Sequence, residues 1–328
     1  MLNLTHYIKE IGRGKDGARD MTEQEACELF GAMLDGGVPD LELGAILIAL
    51  RVKSESDDEL RGFYRAADQR LIRLDRPGGK VVPVVIPSYN GARHQANLMP
   101  LLALLLQRFN VPVLIHGPLE GMGRTGTATI LRELGILPSV TLAKAQEALN
   151  RDGLAFVPTQ VIAPGIASLL ALRQRLGVRN SAHTLIKMVD PFDGDSLRLV
   201  SVSHPDYLGK MRAFFNGSDA NVLLLRGTEG EAFANPKRRP QLELFRGGRQ
   251  EILFEAEVGP IATLPKLPEA IDAHTTASWI RAALGGHAPL PTPLVNQLAC
   301  CLYASGYAQD MNQAKAIVAV ETGSLAVA

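Results

Sequence analysis

From Val81 to Gly117 the apolar residues fall into two short runs with one long run between them. Val81 to Ile86 is β-branched and of strand length, and Pro87, Asn90 and Gly91 break it as turn residues do. Leu98 to Phe109 is apolar over the length of a helix, and Val111 to Ile115 is a second short strand. Strand, loop, helix and strand in that order make the repeating unit of a parallel α/β sheet. Ligands in such sheets sit on the loop that leaves the carboxyl end of a strand, which here is Pro87–Arg93.

Residues 1–76 read differently, as helices joined by short turns. Thr22 with Glu25, and Ser56 with Glu59, have the spacing of capping boxes and open helices through Met33 and Arg70. Between them Asp40 is read as the cap of an apolar helix, Leu41–Val52. Pro77-Gly78-Gly79 marks a linker. Beyond the opening unit, Gly121–Gly126 is a glycine-rich turn before a helix Ala128–Leu134, Thr141 opens another helix, and Leu154–Val157 is a strand. Residues 165–188 read as helical. Leu197–Val202 and Val222–Leu225 read as strands, with a helix Pro205–Phe215 between them. Residues 240–265 read as extended and the chain from Ser278 on as helical. The expected fold class is α/β: a helical domain, 1–76 with a returning segment near 165–190, beside a larger α/β domain, 77–328, with a mainly parallel central sheet.

At 328 residues the chain is long enough for two domains. Lys plus Arg and Asp plus Glu are 34 each, so any claim on a polyanionic partner must rest on local clustering. Cys27 and the adjacent Cys300 and Cys301 form neither a disulfide framework nor a metal-ligand spacing, and read as reduced core residues. Asn3, His6, Lys9 and Glu10 interrupt the start, so no signal peptide is expected, and no apolar run has membrane-spanning length. The expected location is the cytoplasm, with no membrane partner.

The largest local charge excess is Arg173, Arg175, Arg179 and Lys187, in a segment, 173–188, that holds no Asp or Glu. Charge alone favours a solvated helix face there. Arg13 and Lys15 lie in a glycine-flanked turn, Gly12–Lys15, with Arg19 just beyond, where a phosphate contact and an ordinary surface turn are equally good readings. Arg93 with His94, and Arg124, fall on two loops at the same end of the expected sheet, and Arg93 leaves the ligand-position loop directly. Tyr89 could stack on a base or fill a pocket. His116, His183 and His204 read as structural, and Lys237-Arg238-Arg239 as a solvated basic turn.

The order of these elements, with Val38–Lys53, His116-Gly117, Arg173–Arg179, His204-Pro205 and Arg226–Gly230, resembles the anthranilate phosphoribosyltransferase family over nearly the whole chain. In that family a glycine–threonine–glycine–glycine–aspartate loop cradles a pyrophosphate on backbone N–H groups. Here the equivalent is Pro87-Ser88-Tyr89-Asn90-Gly91, in which Pro87 has no N–H and only Gly91 keeps the glycine freedom. Ile115 and Pro118 replace the family's lysine and asparagine around His116-Gly117. Glu229 and Glu231 flank Gly230 where the family has an adjacent aspartate–glutamate pair for magnesium. Three phosphate- or metal-handling elements are altered together.

Lys9–Lys15, Ile86–Arg93, Gly177–Leu185 and Ser201–Pro205 are similar to a second, divergent YbiB-type branch of that family. The resemblance implies a homodimer, joined through the helical domain, that binds DNA or RNA without sequence preference. It also turns the cation set towards an anion site: Arg13, Lys15, Arg19, Arg93, Arg124, Arg173, Arg175, Arg179 and Lys187 become the expected nucleic-acid contacts. Ser88, Tyr89, Asn90, Gly91, His116, Gly117 and Arg173 become a vestigial ligand pocket; Arg173 matches the position that holds the anthranilate carboxylate in the enzymes. No catalytic residue, cofactor or metal is expected. The alternatives are a phosphoribosyltransferase with a modified donor site, which would need magnesium, and a small-molecule sensor that kept the pocket without the chemistry.

Overall fold

The computed structural model describes residues 2–121, 123–259 and 266–323, without the side chain of Lys15. The chain forms two compact units, one of Met1–Arg73 with Thr159–Pro191 and the other of Leu74–Pro158 with Phe192–Ala328.

The first unit is helical. It contains α1 (Leu4–Ile11), α2 (Gly14–Gly17), α3 (Glu23–Leu34), α4 (Asp40–Lys53) and α5 (Asp57–Asp68), and the returning segment adds four short helices. Both capping boxes form: the side chains of Thr22 and Ser56 accept from the backbone N–H of Glu25 and Glu59, which bond back. Phe30 of α3 and Phe63 of α5 stack at 4.8 Å in the centre. Glu59 is fully buried, accepts from the N–H of Met21 and Ser56, and pairs with Lys53 at 2.7 Å, so the carboxylate that caps α5 also ties α4 to it.

Three expectations change in this unit. Pro39, not Asp40, is the cap of α4, and Asp40 is its first residue. Proline fits that position because its fixed φ leads into a helix. Gly12–Lys15 is no open turn, because Gly14 starts the short α2. The helical expectation over 165–188 resolves into Pro164–Ala171, Arg173–Leu176 and Ala182–Leu185. The break comes at Gly177, whose φ of 74° puts it in the left-handed region that stops a helix.

The second unit carries β1 (Leu74–Asp75), β2 (Val84–Pro87), β3 (Val113–Gly117), β4 (Leu154–Pro158), β5 (Phe192–Asp193), β6 (Leu197–Val202), β7 (Val222–Arg226), β8 (Leu242–Arg246) and β9 (Arg249–Phe254). β1 and β5 make a small parallel pair. The others form one sheet in the order β4-β3-β2-β6-β7-β8-β9. It is parallel from β4 to β7, and the hairpin β8–β9 is antiparallel. The sheet thus covers the first part of the stretch expected to be extended; residues 260–265 of that stretch lie outside the described residues.

β2 and β3 begin later than the apolar runs suggest. Pairing starts at Val84 opposite Val113, directly after Pro83 and Pro112, which have no N–H to give a ladder. Both faces of the parallel strands are buried, as crossover helices require. Val84, Ile86, Leu223 and Leu225 join the main core, where Thr292–Ala304 is buried almost all round. Val85, Val222 and Leu224 face the other layer, and there Phe215 of the helix Pro205–Phe215 meets Phe245 of β8 at 6.1 Å. Cys300 and Cys301 are buried in the core, while Cys27 of α3 is only half-buried. Among the described residues no helix is long and apolar enough to cross a membrane.

Candidate functional site

The loop after β2 sits at the carboxyl edge of the parallel strands. Its backbone is tied at both ends: Ser88 N–H donates to the carbonyl of His116 at 2.9 Å, and Ala92 and Thr125 exchange a pair of 2.9 Å bonds. The second contact joins this loop to the Gly121–Gly126 turn, so Arg93 and Arg124 lie on linked loops. Gly91 has φ 66°, and a Cβ there would stand 3.0 Å from the Arg124 side chain and 3.1 Å from the Thr125 carbonyl. A glycine is therefore needed at position 91 of this loop.

The loop's N–H groups are already occupied. Glu231, fully buried, accepts from Asn90 N–H at 2.6 Å and Gly91 N–H at 2.7 Å on one oxygen. Its other oxygen accepts from the Ser88 hydroxyl at 2.6 Å. Ser88 also shares a 2.8 Å bond with Thr127, whose hydroxyl accepts from Asn97 at 3.0 Å. Glu229 accepts from three consecutive N–H groups, those of Arg93 at 3.0 Å, His94 at 2.9 Å and Gln95 at 3.1 Å. Asn90 closes the set by donating its side-chain amide to the carbonyl of Glu229 at 2.7 Å.

Both glutamates ride on the turn that follows β7. Thr228 and Glu231 form a bridge, and Ser201 donates to the Gly230 carbonyl at 3.0 Å. Glu229 itself has φ 52°, which a residue with a side chain adopts only at a cost. Sequence reasoning noticed these acids only as a broken metal pair and missed their role as acceptors. The signal was their place at the end of a parallel strand, the edge where the donor-rich loop also had to lie.

His116 is the other fixed point. Its imidazole is fully buried, and burial lowers its pKa from 6.5 to about 3, so it is neutral. Nδ1 lies 2.8 Å from the Tyr89 hydroxyl, the rings meet edge to face at 5.4 Å, and Nε2 has no partner among the described residues. Tyr89 therefore packs inward on His116 and is not presented as an open stacking platform. Gly117 ends β3 beside them.

In the helical unit the four-cation cluster divides. Arg175 is exposed and pairs with Asp40 at 3.2 Å. Arg173, Arg179 and Lys187, each half-buried, are near enough to His183 for their charges to act on it. Burial, and then the charges of Arg179, Arg173 and Lys187, hold that imidazole down to about 4. The expected lack of acids holds only along the sequence: Asp40 comes from α4, and Glu55, from the turn after α4, accepts from Ser181 at 2.5 Å. Near the N-terminus Arg13 and Arg19 both pair with Glu10, at 2.6 and 3.4 Å, and are not the free, flexible cations the glycine-flanked turn suggested. Arg93 is exposed and Arg124 half-exposed; His204 caps its helix by accepting from Asp206 N–H.

Residues 5–70 match the glycosyl transferase family, helical bundle domain. The whole chain is similar to the uncharacterized protein YbiB of Escherichia coli (strain K12), 47% identical over 97% of this chain and 99% of that one. The chain belongs to the YbiB-type, anthranilate phosphoribosyltransferase-like family. An anthranilate phosphoribosyltransferase of Saccharolobus islandicus (strain L.S.2.15 / Lassen #1) is 27% identical over 80% of this chain and 74% of that one. The fold of the family extends over the full length. The crystal structure of the Thermus thermophilus enzyme matches with a TM-score of 0.77 at 21% identity, covering 99% of this chain and 95% of that one. The Saccharomyces cerevisiae enzyme in complex with PRPP and Mg matches at 0.71 and 13% identity, covering 98% and 93%.

A magnesium ion does not fit the two glutamates as this YbiB-type chain arranges them. Every carboxylate oxygen of Glu229 and Glu231 accepts from an N–H or O–H, so a dication there would face the positive ends of donor dipoles. Among the described residues no three His, Cys, Asp or Glu side chains converge to hold a metal.

Proposed function

We propose that this chain binds DNA or RNA without sequence preference, as a cytoplasmic homodimer, through phosphate contacts from its basic residues. The observation that carries the reading is that the charges of Arg173, Arg179 and Lys187 all act on His183, adding to the burial that chiefly keeps its imidazole uncharged. Half-buried cations gathered around one point suit a phosphate, which charge attracts and hydrogen bonds hold. Arg93, exposed, and Arg124, half-exposed, lie on loops joined through Ala92 and Thr125 and add two further cations. Arg13 and Arg19 pair with Glu10, and Arg175 with Asp40, so a phosphate would meet these three beside a carboxylate. The phosphoribosyl-transfer reading has the fold in its favour and the occupied loop against it.

The homodimer is supported by α4. Leu41, Ala45, Ile48 and Val52 are all exposed and are spaced by four, three and four residues, which aligns them on one face. Leu41 is 82% exposed and Val52 54%. A second copy presenting the same stripe would bury both at once, as a two-fold interface does.

Fluorescence anisotropy with two oligonucleotides of unrelated sequence, at a series of salt concentrations, tests the reading. Arg173→Ala with Arg179→Ala should weaken both complexes alike and flatten the slope of log K against log salt by about two for two lost phosphate contacts. A folded double variant with unchanged affinity and slope sinks it. Loss of one sequence alone would refute binding without sequence preference.

A further inference from the structure

We propose that Glu229 and Glu231 are a resident anion: they fill two backbone cradles that would otherwise take phosphate or diphosphate groups, and so keep such ligands out of this loop. The first cradle is Ser88 hydroxyl, Asn90 N–H and Gly91 N–H around one carboxylate. The second is the three successive N–H groups of Arg93, His94 and Gln95 around the other. Successive N–H groups aimed at one point form an anion site whatever anion arrives, because the attraction is to the converging dipoles. Here the anion is covalently part of the chain and always present, so a free phosphate has to displace it and then lie beside it. Like charges in such contact repel.

The turn is shaped for this work. Glu229 holds φ 52°, and Gly230 follows at 87°. A residue with a side chain stays in that conformation only if something compensates, and three bonds from consecutive N–H groups do so. Asn90, which donates to the Glu229 carbonyl, locks the turn from the loop side. The turn therefore acts as a fixed stopper over a phosphate-type site. The nucleic-acid reading is carried chiefly by cations of the helical unit, with Arg93 and Arg124 beside this loop secondary to it, so pyrophosphate binding at Arg93–Gln95 and oligonucleotide binding are separate readouts.

The test is Glu229→Gly, which removes the carboxylate and also relieves the positive φ, so the turn keeps its path. Titration with inorganic pyrophosphate, followed by calorimetry and by the amide signals of Arg93–Gln95, should show no saturable binding by the parent up to on the order of 10 mM. The variant should bind at least about tenfold tighter, the effect of one charge-assisted contact. Glu231→Gln separates charge from filling: its amide oxygen can still accept from Asn90 and Gly91, so it should admit pyrophosphate less readily than Glu229→Gly. Hydrogen exchange on the unaltered chain gives a second measurement. The amides of Asn90, Gly91 and Arg93–Gln95 should exchange slowly for a surface loop, at rates that pyrophosphate leaves unchanged. Saturable binding of pyrophosphate to the parent with shifts at those amides overturns the proposal. So does a folded Glu229→Gly chain that binds no tighter than its parent, or fast exchange of the five amides in the parent.

Discussion

Ser88 and Glu231, 143 positions apart in the chain, are joined by a 2.6 Å hydrogen bond at the buried edge of the sheet. The same carboxylate takes the N–H groups of Asn90 and Gly91, so its removal strands two buried N–H groups, while the Ser88 hydroxyl keeps Thr127 as an acceptor. Glu231→Ala should cost about 3 kcal/mol or more, since each unsatisfied buried donor costs roughly 1–3 kcal/mol. Glu231→Gln should cost about 1 kcal/mol, because both N–H groups keep an acceptor. Urea unfolding of the two variants measures the difference; equal costs would mean that the loop relaxes to find water.

In the helical unit Glu59 offers a comparable test. It is fully buried, pairs with Lys53 and accepts from two N–H groups. Among the described residues, Glu59→Ala leaves a nearly buried ammonium with only the exposed Asp20 as an acidic partner. A loss of about 3–5 kcal/mol is expected from breaking a buried pair on one side. Thermal or denaturant unfolding followed by circular dichroism reads it, and a loss below about 1 kcal/mol would show that the pair is not coupled to the core.

The buried histidines set a pH dependence. Burial holds His116 at about 3 in the folded chain, against an ordinary 6.5. Between those values the unfolded chain binds the proton and the folded chain does not, so stability is full above 6.5 and falls as pH drops towards 3. The slope is about 1.4 kcal/mol per pH unit for each such group. His183, held at about 4, adds in the same direction over the upper part of the window. Unfolding free energies between about pH 6.5 and 5, before most carboxylates titrate, isolate the histidines. A flat profile there, or one that His116→Asn leaves unchanged, would contradict the assignment.

Arg175 and Arg173 are two residues apart yet should behave differently. Arg175→Ala breaks an exposed pair with Asp40, and such pairs are worth about 0–1 kcal/mol. Its effect on oligonucleotide affinity should stay within about twofold, while Arg173→Ala weakens binding by about 1 kcal/mol or more, as a lost charged contact does. If Arg175→Ala is the more damaging of the two, the Asp40 pair opens on binding and the division of the cluster is wrong.

The dimer proposal has its own readout. Ile48 sits in the exposed stripe of α4. Ile48→Glu should give a folded monomer by sedimentation at micromolar concentration where the parent is a dimer, because a buried unpaired charge at the centre of an interface is costly. A parent that sediments as a monomer there removes the basis for the stripe as an interface.

The α/β class and the helical N-terminal region were legible because apolar periodicity and the spacing of capping boxes are local signals. Thr22 with Glu25 and Ser56 with Glu59 behave as their spacing predicts. Boundaries failed where a proline acted on pairing: Pro83 and Pro112 delay β2 and β3, and Pro39 takes the capping place assigned to Asp40. The site was legible as to place and not as to state. The loop Pro87–Arg93 does lie at the carboxyl edge of the sheet, but what fills its N–H groups comes from a turn more than 130 residues away. Likewise, no reading of 173–188 alone reveals that Asp40 and Glu55 approach it, since a charge finds its partner through the fold.

Among the described residues the hairpin β8–β9 leaves β9 as the last strand of the sheet. β4, at the other side, has Ser139 N–H bonded to the Phe156 carbonyl and is partly covered. β9 presents Arg249, Gln250 and Glu251 to solvent, along with a half-exposed Ile252. A strand with unpaired N–H and C=O groups is a template on which another chain can add a strand, and apolar, uncharged edges are those that seed aggregates. Charges of both signs on this edge make such addition costly, because an incoming strand would have to desolvate them. Replacing Arg249 and Glu251 with valine is the change that would put that protection at risk.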